Sequence, residues 1–134
     1  RPPRSTLFPY TTLFRSPHIV CPGYIPNTDL PYLYSGAFAF LYTSLRESFG
    51  IPLLEAMACG TPVVTSNTSS MPEVGGPGAL LCDPTDAKDI AHKILSLEKD
   101  PALYRQQIQY GLRRAKRFSW ETTATELLSI YKSI

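Results

Sequence analysis

Residues 46–64 read Arg-Glu-Ser-Phe-Gly-Ile-Pro-Leu-Leu-Glu-Ala-Met-Ala-Cys-Gly-Thr-Pro-Val-Val. Pro52 suits a first helical turn, and Gly60 followed by Pro62 marks a helix end, so the stretch predicts a helix from about Pro52 to Cys59. Pro62 to Thr65 then predicts a strand. Upstream, Ala37 to Tyr42 is an unbroken apolar run, the pattern of a strand in a parallel sheet covered on both faces. Strand, loop, helix, strand is the unit from which α/β sheets are built.

The same alternation extends outward. Downstream come a polar loop over Ser66 to Ser70, one helical turn over Met71 to Val74, a turn over Gly75 to Gly78 and a strand over Ala79 to Cys82. Upstream, Thr28 or Asp29 can cap a helix through Leu30 to Tyr34, with Pro31 tolerated in its first turn. His18 to Cys21 is a fourth strand candidate, stopped by Pro22-Gly23. Asp86, Asp100 and Ser119 each precede a helical pattern, so the C-terminal third predicts three capped helices. The fold class expected is α/β with a mainly parallel, partial Rossmann-like sheet. Four short strands leave at least one flat apolar edge, which suggests that further strands complete the sheet.

Residues 1–16, Arg-Pro-Pro-Arg-Ser-Thr-Leu-Phe-Pro-Tyr-Thr-Thr-Leu-Phe-Arg-Ser, resemble the conceptual translation of a sequencing adapter. They are therefore set apart from fold reasoning, and the expected domain spans 17–134. The full chain holds 13 basic and 11 acidic residues. Arg1, Arg4 and Arg15 fall in the segment set apart, so the remainder is near neutral and gives no reason to expect nucleic acid as a partner. No apolar run approaches the roughly 18 residues of a membrane span. Cys21, Cys59 and Cys82 lack metal-ligand spacing and read as buried thiols of a cytoplasmic protein. His18 and His92 read as structural or exposed rather than catalytic.

Glu47 and Glu55 carry the chemistry. Gly50 and Pro52 interrupt any single helix between them, and Ile51 before proline is biased out of the α region. Glu47 then belongs to the loop after a strand and Glu55 to the first turns of the next helix. Both are expected toward the carboxyl end of the sheet, where open α/β sheets bind ligands. The helix start offers unpaired N–H groups to an anion, and Gly50 permits close backbone approach. The carboxylates suit hydroxyl donors. Diphosphate at the helix start and hydroxyls on both carboxylates describe a nucleotide sugar. The plain alternative is a solvated Glu47 and a Glu55 that complements the helix dipole.

Glu47 to Val64 resembles the E-x7-E signature of the family-four ("group 1") retaining glycosyltransferases. The resemblance continues in Gly23 to Pro26, Asp29 to Tyr34, Met71 to Val74, Gly78-Ala79, Asp83-Pro84 and Phe118 to Trp120, in the family's order. It implies the C-terminal, donor-binding domain of a GT-B fold. It also implies roles: Glu47 as the catalytic-site carboxylate, hydrogen-bonded to the transferred sugar; Ser48, Phe49, Gly50 and Ile51 against sugar or diphosphate; Glu55 on the ribose; Gly23 and Tyr24 near the base. The implied reaction is transfer from a nucleotide-diphosphate sugar with retention, without a metal or other cofactor. Glu47 would position and stabilise rather than act as a nucleophile.

Against the family's pattern, the first two strand-helix units of the donor domain, with their basic diphosphate clamp, are missing. So is the domain that binds a sugar or lipid-linked acceptor. The chain is accordingly expected to be a fragment, inactive alone, of a cytoplasmic enzyme with peripheral contact at the inner membrane face. The final helix is expected to lack a partner for its apolar side. Arg113 to Arg117 reads as a solvated basic face, and Glu73 as a brace for a helical turn. Other readings are a non-catalytic nucleotide-sugar-binding module or another GT-B enzyme. An epimerase would need carboxylates and histidines absent here. A phosphorylase would need a cofactor lysine, and Lys88 and Lys93 lack the motif.

Overall fold

The computed structural model describes residues 18–134. The expectation for residues 1–16 lies outside the described residues. The elements are α1 (Leu30–Gly36), β1 (Phe40–Tyr42), α2 (Ile51–Ala58), β2 (Val63–Ser66), α3 (Met71–Gly75), β3 (Leu80–Cys82), α4 (Ala87–Lys99), α5 (Pro101–Ala115) and α6 (Trp120–Lys132). The strands form one parallel sheet in the order β1-β2-β3. Phe40 pairs with Val63 and Tyr42 with Thr65, while Val64 pairs with Leu80 and Ser66 with Cys82.

Among the described residues the sheet has three strands rather than the four expected. His18 to Cys21 forms no strand, and Val20 is 83% exposed. An extended local preference is not enough to make a strand, because a ladder needs a paired neighbour. The central strand β2 is buried throughout. The expectation that both faces of β1 are covered fails at Leu41, which is 44% exposed. Alternation along the strand turns Phe40 and Tyr42 to one face and Leu41 to the other, and helices cover only the first at this edge.

Two apolar clusters lie on the two faces of the sheet. Leu53, Ala56, Met57, Val63, Met71 and Val74 form one, joined by Phe40, Tyr42 and Tyr110. Val64, Cys82 and Leu97 form the other, joined by Ile90, Ile94, Leu103 and Tyr104. Each fully buried large aliphatic contributes about 1.5–3 kcal/mol. Helix α5 serves both clusters, its first half on the second and its last half on the first. Where α5 crosses α2, a Cβ on Gly111 would lie 3.2 Å from Met57 Cγ. A larger residue would therefore force the two helices apart.

The capping expectations hold at three helices and fail at one. Asp86 accepts from the N–H groups of Lys88 and Asp89, Asp100 from those of Ala102 and Leu103, and Ser119 from that of Thr122. Asp29 occupies the N-cap position of α1 without a side-chain cap. Its Oδ1 instead accepts from Thr28 Oγ1 at 3.1 Å. No residue of α6 is buried, and Trp120 is 78% exposed, in line with an unpartnered final helix. Of the thiols, Cys82 is buried and Cys59 is half-buried. Cys21 is exposed, against expectation, and its segment belongs to no strand or helix. Among the described residues no helix is long and apolar enough to cross a membrane.

Candidate functional site

Beyond the carboxyl end of β1 the chain runs through residues 43–50 and enters α2. Gly50 makes that entry possible. It is buried, sits at φ +100°, and a Cβ there would collide with Met71 Cε. Only glycine combines that backbone with so close an approach. No side chain caps α2, and Pro52 lies in its first turn. Pro52 has no N–H and the Leu53 N–H donates to Gly50 O at 3.0 Å, so the Gly50 and Ile51 N–H groups are those left for solvent or a ligand, in a field that favours negative charge. Phe49 and Ile51, which flank Gly50, are both part-exposed.

Each carboxylate of the motif is held by a tyrosine. Tyr42 at the end of β1 donates to Glu47 Oε1 at 2.7 Å. That bond, ahead of burial, pushes the Tyr42 hydroxyl's pKa up. Tyr34 of α1 donates to Glu55 Oε2 at 3.1 Å. Burial first, and then the bond to Glu55, push the Tyr34 hydroxyl up to about 12. The two tyrosines flank Phe40, edge-on from Tyr34 at 5.2 Å and stacked with Tyr42 at 5.7 Å. Glu47 and Glu55 therefore sit at the two ends of a three-ring row. One oxygen of each carboxylate is engaged, and an ionised carboxylate retains further acceptor capacity for ligand hydroxyls.

The structure brings Glu47, Phe49, Gly50, Ile51 and Glu55 onto one loop and helix start. Ser48 lies exposed on the same loop. Gly23 and Tyr24 lie in the segment before α1. Tyr24 is 88% exposed, and a Cβ on Gly23 would meet nothing within 4 Å. Tyr34 and Tyr42 had no signal of their own, since each reads as part of an apolar segment. Beside the loop, Phe49, Ile51, Leu54, Phe118 and Trp120 line a mostly apolar cleft of about 370 Å3.

The far side of α3 is fixed by α5. Arg114 Nε donates to Val74 O at 3.0 Å and Nη2 to Glu73 O at 2.5 Å, while Tyr110 donates to Gly75 O at 2.9 Å. Cations and donors at a helix C-terminus satisfy its open carbonyls. Glu73 thus serves α3 through its carbonyl, with no bond from its side chain among the described residues. The Arg114 guanidinium also lies 4.9 Å from the Phe118 ring centroid, and Phe118 meets Phe49 edge-on at 5.8 Å.

Residues 12–114 match the family described as glycosyl transferases group 1. The chain is 47% identical over 110 residues to O-antigen chain mannosyltransferase B of Escherichia coli, covering 82% of this chain and 29% of that protein. It is 36% identical to D-inositol 3-phosphate glycosyltransferase of Corynebacterium jeikeium, covering 81% of this chain and 26% of that protein. Sucrose-phosphate synthase from Thermosynechococcus elongatus superposes with a TM-score of 0.74 at 34% identity, covering 83% of this chain and 29% of that one. The chain therefore spans under a third of the length of these relatives. The family match runs over the strands and helices that carry Glu47 and Glu55, and the chain belongs to the group 1 glycosyltransferases.

Proposed function

We propose that this chain is the donor-binding part of a longer retaining glycosyltransferase that uses a nucleotide-diphosphate sugar. The observation that supports it best is the start of α2, uncapped by any side chain and with the Gly50 and Ile51 N–H groups open, with the Glu47 loop beside it. A diphosphate suits the helix start, through the Gly50 and Ile51 backbone. Sugar hydroxyls suit Glu47, with Ser48 and Phe49 against the sugar, and ribose hydroxyls suit Glu55. Gly23 and Tyr24 are assigned to the base. The relative at 47% identity is named a mannosyltransferase, so a mannosyl donor comes first. Transfer needs no metal in this reading. Glu47 positions the sugar and stabilises the charge that develops at transfer. The acceptor is a sugar or a lipid-linked sugar bound by another part of the longer enzyme. That enzyme is cytoplasmic, with peripheral contact at the inner membrane face.

GDP-mannose titrated into the labelled 134-residue chain is expected to shift the Gly50, Ile51 and Glu55 amides, with a Kd of about 1 mM or weaker. Glu55→Ala should abolish those shifts. Saturating GDP-mannose that leaves these amides unmoved in the native chain would overturn the reading. In a longer enzyme carrying this domain, Glu47→Ala should remove most transfer, and turnover equal to the native enzyme would refute the role of Glu47.

A further inference from the structure

Ser69 has a backbone conformation that its neighbours do not explain. Its φ is +59°, and among the described residues it is the sole non-glycine residue with positive φ. A serine in that region is disfavoured, and such outliers persist where surrounding structure enforces them. Here the conformation carries the hydroxyl onto Glu47. Ser69 Oγ accepts from Glu47 N at 3.1 Å and donates to Glu47 O at 2.7 Å. One side chain thus closes both backbone groups of a residue 22 positions earlier.

Its neighbours do the same for the rest of the loop. Ser66 Oγ donates to Ser44 O at 2.5 Å and Thr68 Oγ1 to Leu45 O at 3.5 Å. Ser70 Oγ lies 3.1 Å from both Glu47 O and Phe49 O. Among the described residues no backbone–backbone bond joins residues 43–50 to residues 66–70. The loop that bears Glu47 is therefore tied to the loop after β2 by side-chain hydroxyls alone. The second loop is itself anchored, since Ser70 leads into α3 and Arg114 holds the last carbonyls of α3.

We propose that Ser69 is a positioning residue for Glu47, its left-handed backbone and two hydroxyl bonds setting where the Glu47 carboxylate stands for the donor sugar. Tyr42 fixes one carboxylate oxygen, and Ser69 fixes the backbone from which that carboxylate projects. The functional half of this inference rests on the donor reading above.

Ser69→Gly tests it cleanly. Glycine is at ease at φ +59°, which offsets part of the cost of losing both bonds to Glu47, so the fold should persist. A purely structural Ser69 predicts faster exchange at the Glu47 amide with native GDP-mannose affinity. Positioning predicts that exchange of the Glu47 amide hydrogen quickens by about 10-fold while the Leu53 and Val64 amides keep their protection. GDP-mannose should bind Ser69→Gly several-fold more weakly, and Ser69→Asn, which tolerates this backbone and keeps a polar side chain, should recover part of both effects. Unchanged Glu47 exchange in Ser69→Gly overturns the proposal. So does faster exchange with native GDP-mannose affinity. If the native chain itself gives no GDP-mannose shift, the donor reading falls, and Glu47 exchange still decides whether Ser69 holds that backbone.

Discussion

Replacing Gly50 by alanine introduces two separable costs. The first is backbone, because at φ +100° an alanine pays the left-handed penalty, about 1–2 kcal/mol. The second is steric. The new methyl collides with Met71 Cε and lies 3.3 Å from Met71 Sδ and 3.6 Å from Tyr42 Cε1. A methionine end could often swing aside, but Met71 is 0% exposed and packed in the cluster with Leu53 and Ala56. Overpacking such a site costs about 1–3 kcal/mol. The expected total is a loss of about 2–5 kcal/mol, a large share of the stability of a small domain. Urea unfolding followed by circular dichroism measures it, the midpoint falling with little change in slope. In a Met71→Ala background the steric part vanishes, and Gly50→Ala should then cost only about 1–2 kcal/mol. Gly36→Ala is the control, since a Cβ there meets nothing within 4 Å and its φ is not positive. It should stay within about 0.5 kcal/mol of the native chain. A Gly50→Ala loss below about 0.5 kcal/mol would refute the backbone argument. An equal loss in both backgrounds would refute the steric one. Because Gly50 opens α2, the same variant should also lose the amide shifts expected with GDP-mannose.

Three further outcomes follow from the bonds around the site. Tyr34 has its hydroxyl raised from 10.0 to about 12, by burial and then by Glu55. Below pH 10 its contribution is present in full; between pH 10 and about 12 the unfolded chain ionises first, so stability falls as pH rises. Tyr34→Phe should flatten that part of the stability–pH curve, and an unchanged slope would contradict the assignment. Arg114→Ala should lose about 1.5–3 kcal/mol, because charge-assisted bonds to the α3 carbonyls disappear. Arg114→Lys should recover little, since an ammonium cannot reproduce the fork or the ring contact. Thermal unfolding of both variants checks this, and native stability in Arg114→Lys would show that charge alone suffices. Asp100→Ala should cost about 1 kcal/mol by removing a cap to two N–H groups. Asp29→Ala, whose side chain caps nothing, should stay within about 0.5 kcal/mol. Equal denaturation midpoints for Asp29→Ala and Asp100→Ala would count against that distinction.

What could be read from the sequence was whatever local chemistry decides. Pro52, Gly60 and Pro62 bracket α2 because proline and glycine act on the backbone where they stand. Asp86, Asp100 and Ser119 cap helices two or three residues away, so their role needs no knowledge of the fold. Asp29 shows the limit, since its backbone is helical (φ −99°, ψ −17°) where the capping residues Asp86, Asp100 and Ser119 are extended, and composition does not report that. His18 to Cys21 has a strand's composition, but pairing depends on a neighbour that composition does not report. The site divides in the same way. Glu47, Gly50 and Glu55 lie in one contiguous motif, whereas the groups that hold them come from positions 5 to 23 residues away. Tyr42 reads as apolar strand, and Ser66 to Ser70 reads as an ordinary polar loop. Gln107, a polar residue within α5, is buried, and its Nε2 donates to Gly78 O at 3.0 Å. Gly111 differs from these, because a glycine inside a helix costs about 1 kcal/mol and so marks itself as needing a reason. That reason is the approach of Met57, and its consequence reaches the site. The helix held close by Gly111 is α5, whose Arg114 holds α3, and α3 begins where the Ser69 and Ser70 hydroxyls hold the Glu47 loop.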